Sequence, residues 1–117
     1  MYSRFTSLQR YSEKDQRKLE KATAAVIGLG ATGSAIAENL ARHGVDLIIM
    51  DRDYLEEKDA YSSSLYTPDQ CKKALPKAEA AKRELEAFTN VEAYSESLST
   101  DNIDRISSAD VILDGTD

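Results

Sequence analysis

A glycine-rich turn between two short apolar segments constrains the fold of this chain more than any other feature. The turn covers residues 28–33 and reads GLGATG. It follows the apolar run Ala24–Ile27 and precedes a segment, residues 34–42, with the apolar periodicity of a helix. A second apolar run, residues 47–50, leads directly into Asp51. This order of strand, tight turn, helix and strand is typical of the first βαβ unit of a Rossmann-like parallel sheet.

The same unit predicts a nucleotide-binding site. Gly28 and Gly30 allow the backbone to turn sharply and to approach a phosphate, and Gly33 allows the helix to pack closely on the strand. The N-terminus of that helix would present N–H groups and a positive dipole end to an anion. Asp51 stands where a carboxylate can accept hydrogen bonds from ribose hydroxyls. The alternative is that the glycines only solve a packing problem between strand and helix.

The rest of the chain alternates helices and strands, which predicts a mostly parallel α/β sheet with helices on both faces and right-handed crossovers. We expect an N-terminal arm and helix over residues 1–21 and a nucleotide-binding domain over residues 22–117. Thr100 is expected to cap a short helix whose Ile103 and Ile106 supply apolar contacts. The predicted helices cover residues 12–21, 34–42, 68–73, 77–88 and 100–106. The predicted strands cover residues 22–27, 46–50, 91–94 and 109–113. A long connection over residues 52–67 includes Ser62–Ser64 as part of a loop.

Charge and composition argue against several kinds of partner, metal site and location. The formal net charge of −6 disfavours non-specific binding to nucleic acid and binding to an anionic membrane. The single cysteine, Cys71, allows neither an intrachain disulfide nor a multi-cysteine zinc site. No apolar run approaches the roughly 18 residues of a membrane span, and the opening MYSRFTSLQR lacks the apolar core of a signal peptide. We therefore expect one domain located in the cytoplasm.

Several separated segments carry a resemblance to a known family. They are YSR near the start, QRKLEKA before the first strand, VIGLGATGSAIAENLARHGV over the glycine turn and its helix, then MDRDYLE, LPKAEAAK and VILDGTD. In this order and over nearly the whole chain they resemble the ThiF/MoeB/HesA family, the prokaryotic relatives of the ubiquitin-activating enzymes. The resemblance implies an enzyme that uses Mg-ATP to adenylate the C-terminal carboxylate of a ubiquitin-like protein, often a sulfur carrier.

The resemblance also implies a role for individual residues. Lys77 matches a lysine that contacts the phosphates, Asp117 matches an aspartate that binds magnesium, and Arg4 matches an arginine that reaches into the neighbouring subunit's ATP site. Arg4 therefore implies a homodimer, and these three residues are the implied catalytic groups. The residues implied to bind ATP are Gly28, Gly30, Ala31 and Gly33 around the phosphates, Asp51 at the ribose, and Asp53 nearby.

This chain departs from the family in two respects. The family usually reads S-N-L-Q-R-Q where residues 58–63 read KDAYSS, so Asp59 replaces an asparagine that binds phosphate and Ser62 replaces an arginine. Both changes remove favourable contacts to phosphate and predict weaker triphosphate binding. The family also continues beyond the GTD motif, with more sheet and a platform for the carrier protein. We therefore expect this chain to be the N-terminal part of a longer protein and to be inactive alone.

Two other functions remain open from the sequence. A βαβ unit with a terminal acid also suits a fragment of an NAD-binding oxidoreductase, although the PKAEA and GTD motifs and Arg4 disfavour it. The loss of the asparagine and arginine at positions 59 and 62 favours a non-catalytic module for nucleotide binding or dimerisation.

Overall fold

Four parallel strands form a sheet whose two central strands are the apolar runs that flank the glycine turn. The computed structural model describes residues 21–116. In chain order the elements are β1 (Thr23–Ile27), α1 (Ala31–Arg42), β2 (Asp46–Met50), α2 (Asp59–Ser62), α3 (Pro68–Lys72), α4 (Lys77–Leu85), β3 (Val91–Tyr94), a 3-10 helix (Ile103–Ile106) and β4 (Val111–Asp114). The strand order is β3-β2-β1-β4, which confirms the predicted Rossmann-like class.

The strand register places three chain segments at one edge of the sheet. Ile27 at the end of β1 pairs with Met50 of β2 on one side and with Asp114 of β4 on the other. The segments that follow these three residues therefore leave the sheet side by side. Parallel α/β sheets bind their ligands beyond the carboxyl ends of the strands, so this edge is where a site is expected.

One face of the sheet packs against α1 and α4 through small side chains. Alternate residues of β1 and β2 contribute Ala24, Val26, Leu47 and Ile49 to this core, all of them almost completely buried. The helices contribute alanines, which let helix and sheet backbones approach closely. They are Ala37 and Ala41 from α1 and Ala78, Ala80 and Ala81 from α4.

The opposite face has a smaller cover in the part of the chain that is described. Ala25, Ile48 and Met50 pack there against Ile106 of the 3-10 helix. Strand β4 forms one edge of the described sheet, and its Val111 and Ile112 are 46% and 55% exposed. Across residues 21–116, no helix has both the length and the apolar character needed to cross a membrane.

Local signals explain why several predicted boundaries are confirmed. β2 and β3 have the predicted bounds. α3 begins at Pro68 as expected, because the Thr67 hydroxyl accepts a hydrogen bond from the Gln70 N–H and the Gln70 side-chain oxygen accepts one from the Thr67 N–H. This reciprocal capping box satisfies two N–H groups that the start of a helix leaves unpaired.

The short helix near residue 100 is placed differently from the prediction. Thr100 does not cap it; the helix covers only Ile103–Ile106 and follows Asn102. The buried Asn102 side chain accepts a hydrogen bond from the Ser99 N–H and donates one to the Ser97 carbonyl, so this amide rather than Thr100 organises the turn. The helix is a single turn, and Ile103 is 55% exposed, so its predicted apolar contact is wrong.

Several other predicted bounds need correction, and those of β1 and α3 differ by a single residue, since β1 begins at Thr23 and α3 ends at Lys72. α1 begins at Ala31 rather than at residue 34, because the glycine turn itself supplies the N-cap, Gly30. α4 ends at Leu85 rather than at Phe88, whose ring instead lies under the Arg42 guanidinium at 4.5 Å. β4 covers Val111–Asp114 rather than 109–113.

Candidate functional site

A cleft of about 370 Å³ lies at the carboxyl edge of the sheet. The ends of β1 and β2 and the start of α4 contribute to its lining. Most of the predicted binding residues meet there: Gly28, Gly30, Asp51, Asp53 and Lys77, together with Thr116 after β4. The structure thus gathers residues that the sequence spreads over four separate motifs, whereas Ala31 and Gly33 are not among the residues that line the cleft.

Three glycines bring the backbones of the glycine turn, α1 and the segment after β4 into contact. Gly28 has φ +92°, a conformation that other residues rarely adopt. A Cβ at Gly33 would overlap the Gly28 carbonyl oxygen, and a Cβ at Gly115 would lie 2.6 Å from the Gly33 Cα. The packing role of Gly28 and Gly33 is therefore real. The role of Gly115 was missed in the sequence, where only its position directly after a strand could have indicated it.

Gly30 differs from the other three glycines, because its missing side chain leaves open space. Among the described atoms, none lies within 4 Å of the position that a Cβ at Gly30 would occupy. Gly30 is also the N-cap of α1 and lines the cleft. An anion could therefore approach the backbone here, at the positive end of the helix dipole. This geometry fits a phosphate group. It indicates that Gly30 leaves room for a ligand, whereas the other three glycines allow backbones to pack together.

The Asp51 carboxylate connects the end of β2 to the glycine turn. Its Oδ2 accepts a hydrogen bond from the Leu29 N–H at 2.7 Å, and its Oδ1 accepts one from the Asp53 N–H at 2.7 Å. Each carboxylate oxygen can accept more than one hydrogen bond, so Asp51 can still accept hydrogen bonds from ribose hydroxyls. The Asp53 carbonyl accepts from the Lys77 N–H at 2.9 Å, which places the start of α4 beside the cleft.

Lys77 forms an ion pair that the sequence did not predict. Its Nζ lies 3.7 Å from Oδ1 of Asp59, and the two side chains are only 14% and 7% exposed. The other oxygen of Asp59 accepts a hydrogen bond from the Glu56 N–H at 2.7 Å. From the sequence, Asp59 is expected only to remove a contact to phosphate. The structure shows that its carboxylate contacts the lysine implied to bind phosphate.

The connection between β2 and α3 packs behind the glycine turn. The predicted loop is confirmed for Ser63 and Ser64, whereas Ser62 is the last residue of α2. Ser63 is buried. The Ser63 hydroxyl lies 2.8 Å from the Ser34 hydroxyl of α1. The Tyr66 hydroxyl donates to the Leu29 carbonyl at 2.6 Å. These hydrogen bonds connect the segment over residues 63–66 to the glycine turn and to α1. No periodic pattern in the sequence predicts them.

Burial raises the pKa of Tyr66 far above its usual range, and the nearby Asp51 and Asp59 carboxylates raise it further. An unfolded tyrosine ionises near pH 10. Above that pH the unfolded state loses a proton that the folded state keeps, so ionisation favours unfolding. Tyr66 should therefore lower the free energy of unfolding by up to about 1.4 kcal/mol per pH unit above about pH 10.

Tyr66→Phe removes this titration and is expected to flatten the alkaline part of the stability curve. At pH 7 the variant should be less stable by about 1–2 kcal/mol, because the buried Leu29 carbonyl loses its donor. Urea denaturation of both proteins between pH 7 and pH 11.5 measures the two effects. Parallel curves above pH 10 would contradict the burial of an uncharged Tyr66.

Two of the implied catalytic residues, Arg4 and Asp117, lie outside the described residues, as does the predicted arm and helix over residues 1–21, apart from Lys21. Within residues 21–116 there is no group of three or more His, Cys, Asp or Glu side chains that could hold a metal ion.

Comparison with known sequences agrees with this geometry. The family model of the ThiF family matches residues 2–117. The chain is 39% identical over 121 residues to the sulfur carrier protein ThiS adenylyltransferase of Bacillus subtilis strain 168, covering 99% of this chain and 36% of that protein. It is 38% identical over 110 residues to ubiquitin-like modifier-activating enzyme 5 of Drosophila willistoni, covering 88% of this chain and 26% of that protein. The chain thus spans about a third or less of these relatives.

Solved structures share the fold. The crystal structure of E. coli MccB superimposes with a TM-score of 0.79 at 25% identity, covering 97% of this chain and 34% of MccB. The E. coli tRNA N6-threonylcarbamoyladenosine dehydratase TcdA in complex with AMP gives a TM-score of 0.78 at 25% identity, covering 91% of this chain and 45% of TcdA. With the glycine turn, the strand order and the family match in agreement, this chain belongs to the ThiF family.

Proposed function

We propose that this chain is the ATP-binding part of an enzyme that adenylates the C-terminal carboxylate of a ubiquitin-like or sulfur-carrier protein. The observation that carries the proposal is the cleft in which the open backbone at Gly30, the Asp51 carboxylate and Lys77 come together. A nucleotide needs these three features: room for phosphate at a helix N-terminus, an acceptor for ribose hydroxyls, and a cation.

Each site residue has a part in this proposal. Asp51, with Asp53 beside it, accepts the ribose hydroxyls. Gly28, Gly30 and Ala31 form the turn that would hold the phosphates at the start of α1, and Gly33 contributes by letting α1 pack against that turn. Lys77 would contact the phosphates from α4. Asp117 directly follows the described segment that contacts Gly28, and its carboxylate suits Mg²⁺, which prefers oxygen ligands. Arg4 would enter the site from a second copy, so the active form is proposed to be a homodimer.

These residues favour attack at the α-phosphorus of ATP. A carboxylate oxygen of the carrier forms a bond to phosphorus while the bond to the pyrophosphate oxygen breaks, so that an acyl-adenylate and pyrophosphate result. Negative charge grows on the phosphate oxygens and the leaving group. Cations and N–H groups already in position stabilise that charge, which is the contribution of Lys77, Arg4 and the start of α1.

The relatives support the class of partner. One is named for a sulfur carrier protein and another for activation of a ubiquitin-like modifier. The structural relative TcdA holds AMP. We therefore propose ATP with Mg²⁺ as the nucleotide, a small carrier protein as the partner and a cytoplasmic location. The net charge of −6 favours a protein partner over nucleic acid.

Calorimetric titration with Mg-ATP and with NAD tests the nucleotide, and we expect binding of Mg-ATP to be tighter. Tighter binding of NAD would overturn the proposal in favour of an oxidoreductase. ATP–pyrophosphate exchange in the longest natural form of the protein, with candidate carrier proteins, tests the reaction. Carrier-dependent exchange is expected from the dimer, and its absence from a folded dimer that binds Mg-ATP would exclude adenylation.

One observation favours a second candidate, a non-catalytic nucleotide-binding module. The Lys77–Asp59 ion pair lowers the net charge available to phosphates. Binding of Mg-ATP without exchange activity would support this candidate, whereas carrier-dependent exchange would exclude it.

A further inference from the structure

A buried ion pair sets the charge at the phosphate end of the cleft. Lys77 Nζ lies 3.7 Å from Asp59 Oδ1, and both side chains are almost completely removed from water. Besides Lys77, the charged side chains that line the cleft in the described residues are Arg52, Asp51, Asp53 and Glu96. The acids outnumber the cations there even before Asp59 is counted. The charge of Lys77 is therefore opposed from nearby by a fixed carboxylate.

Asp59 is held firmly in this position. It is the first residue of α2, and its second oxygen accepts the Glu56 N–H at 2.7 Å. Oδ2 of Asp59 thus contacts the backbone at Glu56, and Oδ1 contacts the Lys77 ammonium. Asp59 itself is not among the residues that line the cleft, so it acts on a ligand through its position beside Lys77. A carboxylate fixed in this way cannot turn away when a phosphate approaches Lys77, so it opposes the phosphate charge there.

We propose that Asp59 is a specificity-determining residue that makes this cleft discriminate against polyphosphate charge. A triphosphate carries roughly twice the negative charge of a monophosphate. The ion pair therefore penalises ATP more than AMP and makes tight ATP binding depend on a divalent cation that compensates the charge. The inference rests on the proposed function, because it assumes that the nucleotide phosphates lie near Lys77.

The test compares Asp59→Asn with Glu56→Gln in the full chain. Asparagine can keep the hydrogen bond from the Glu56 N–H through its oxygen while removing the charge beside Lys77. Glu56→Gln is the matched control, because it removes one negative charge from an exposed ion pair with Lys58 in the same connection. The affinities for ATP and for AMP are measured by calorimetry in EDTA and again with Mg²⁺, after circular dichroism has shown that each variant is folded. Asp59→Ser serves if Asp59→Asn does not fold.

In EDTA, Asp59→Asn is expected to tighten ATP binding by about tenfold and AMP binding by less than about threefold, as screened charge interactions at this separation imply. Mg²⁺ should reduce the difference, and Glu56→Gln should leave both affinities near those of the natural chain. An unchanged ratio of ATP to AMP affinity, or an equal gain in Glu56→Gln, would overturn the inference while leaving the proposed function intact. Failure of all forms to bind either nucleotide would overturn both.

Discussion

Replacing Gly33 by alanine is expected to lower the free energy of unfolding by about 3 kcal/mol or more, or to prevent folding. A Gly-to-Ala change inside a helix normally stabilises a protein by about 0.5–1 kcal/mol. Here the sign reverses, because the added Cβ would overlap the Gly28 carbonyl oxygen. That oxygen belongs to backbone fixed on both sides, since the Gly28 N–H donates to Met50 and the Gly115 N–H donates to Ile27. Relief of the overlap requires α1 to move away from the sheet.

Gly30→Ala is the matched control, three positions away in the same turn. Its Cβ would meet no described atom within 4 Å, and its φ of −73° suits alanine. We expect its stability to stay within about 1 kcal/mol of the natural chain, while its affinity for ATP falls because the methyl group occupies the approach of the phosphate. Urea denaturation followed by circular dichroism measures the first effect and calorimetry the second. Equal destabilisation by both substitutions would show that the turn does not pack as described.

Lys77→Met is expected to have the largest effect on nucleotide binding and a large effect on stability. Methionine keeps the length of the side chain but leaves the buried Asp59 carboxylate without its cation, which should lower the free energy of unfolding by about 3 kcal/mol. The same uncompensated carboxylate would face the phosphates. We therefore expect ATP affinity to fall by at least about 100-fold, as for loss of one partner of a buried charge pair.

The double variant Lys77→Met, Asp59→Asn separates the two causes. It removes both charges, so most of the stability should return, while ATP affinity should recover only in part because the cation is still missing. The coupling between the two substitutions should reach about 1–3 kcal/mol in the free energy of unfolding. Additive effects on stability would mean that the ion pair contributes nothing and would leave Lys77 as an independent surface lysine.

The positions of the main strands and helices could be predicted because each depends on a local pattern. Two apolar runs with a glycine turn between them indicate β1, α1 and β2, and Pro68 and Pro76 mark the starts of α3 and α4. The short helix at residue 103 could not be placed so well, because its start depends on the Asn102 side chain bonding to Ser97 and Ser99. Such contacts between side chain and backbone compete with local propensity and leave no periodic signal.

The candidate site divides in the same way. Motifs in the sequence single out the turn glycines, Asp51 and Lys77, and the structure brings all of these except Gly33 to one cleft. The sequence could not distinguish Gly30, which leaves room for a ligand, from Gly28 and Gly33, which allow backbones to touch. That difference depends on which atoms stand opposite each missing Cβ, and those atoms belong partly to Gly115 and Thr116, far along the chain.

By itself, the sequence determined that this chain forms a parallel α/β sheet with a nucleotide-type turn and the ordered motifs of its family. These features are local or repeat at fixed intervals, so a linear pattern contains them. Only the tertiary structure decided that Asp59 pairs with Lys77, that Tyr66 holds Leu29 and that Gly115 touches Gly33. Each of these contacts joins segments that lie far apart along the chain, so no local pattern contains it, and the packing of the helices and loops on the sheet brings the segments together.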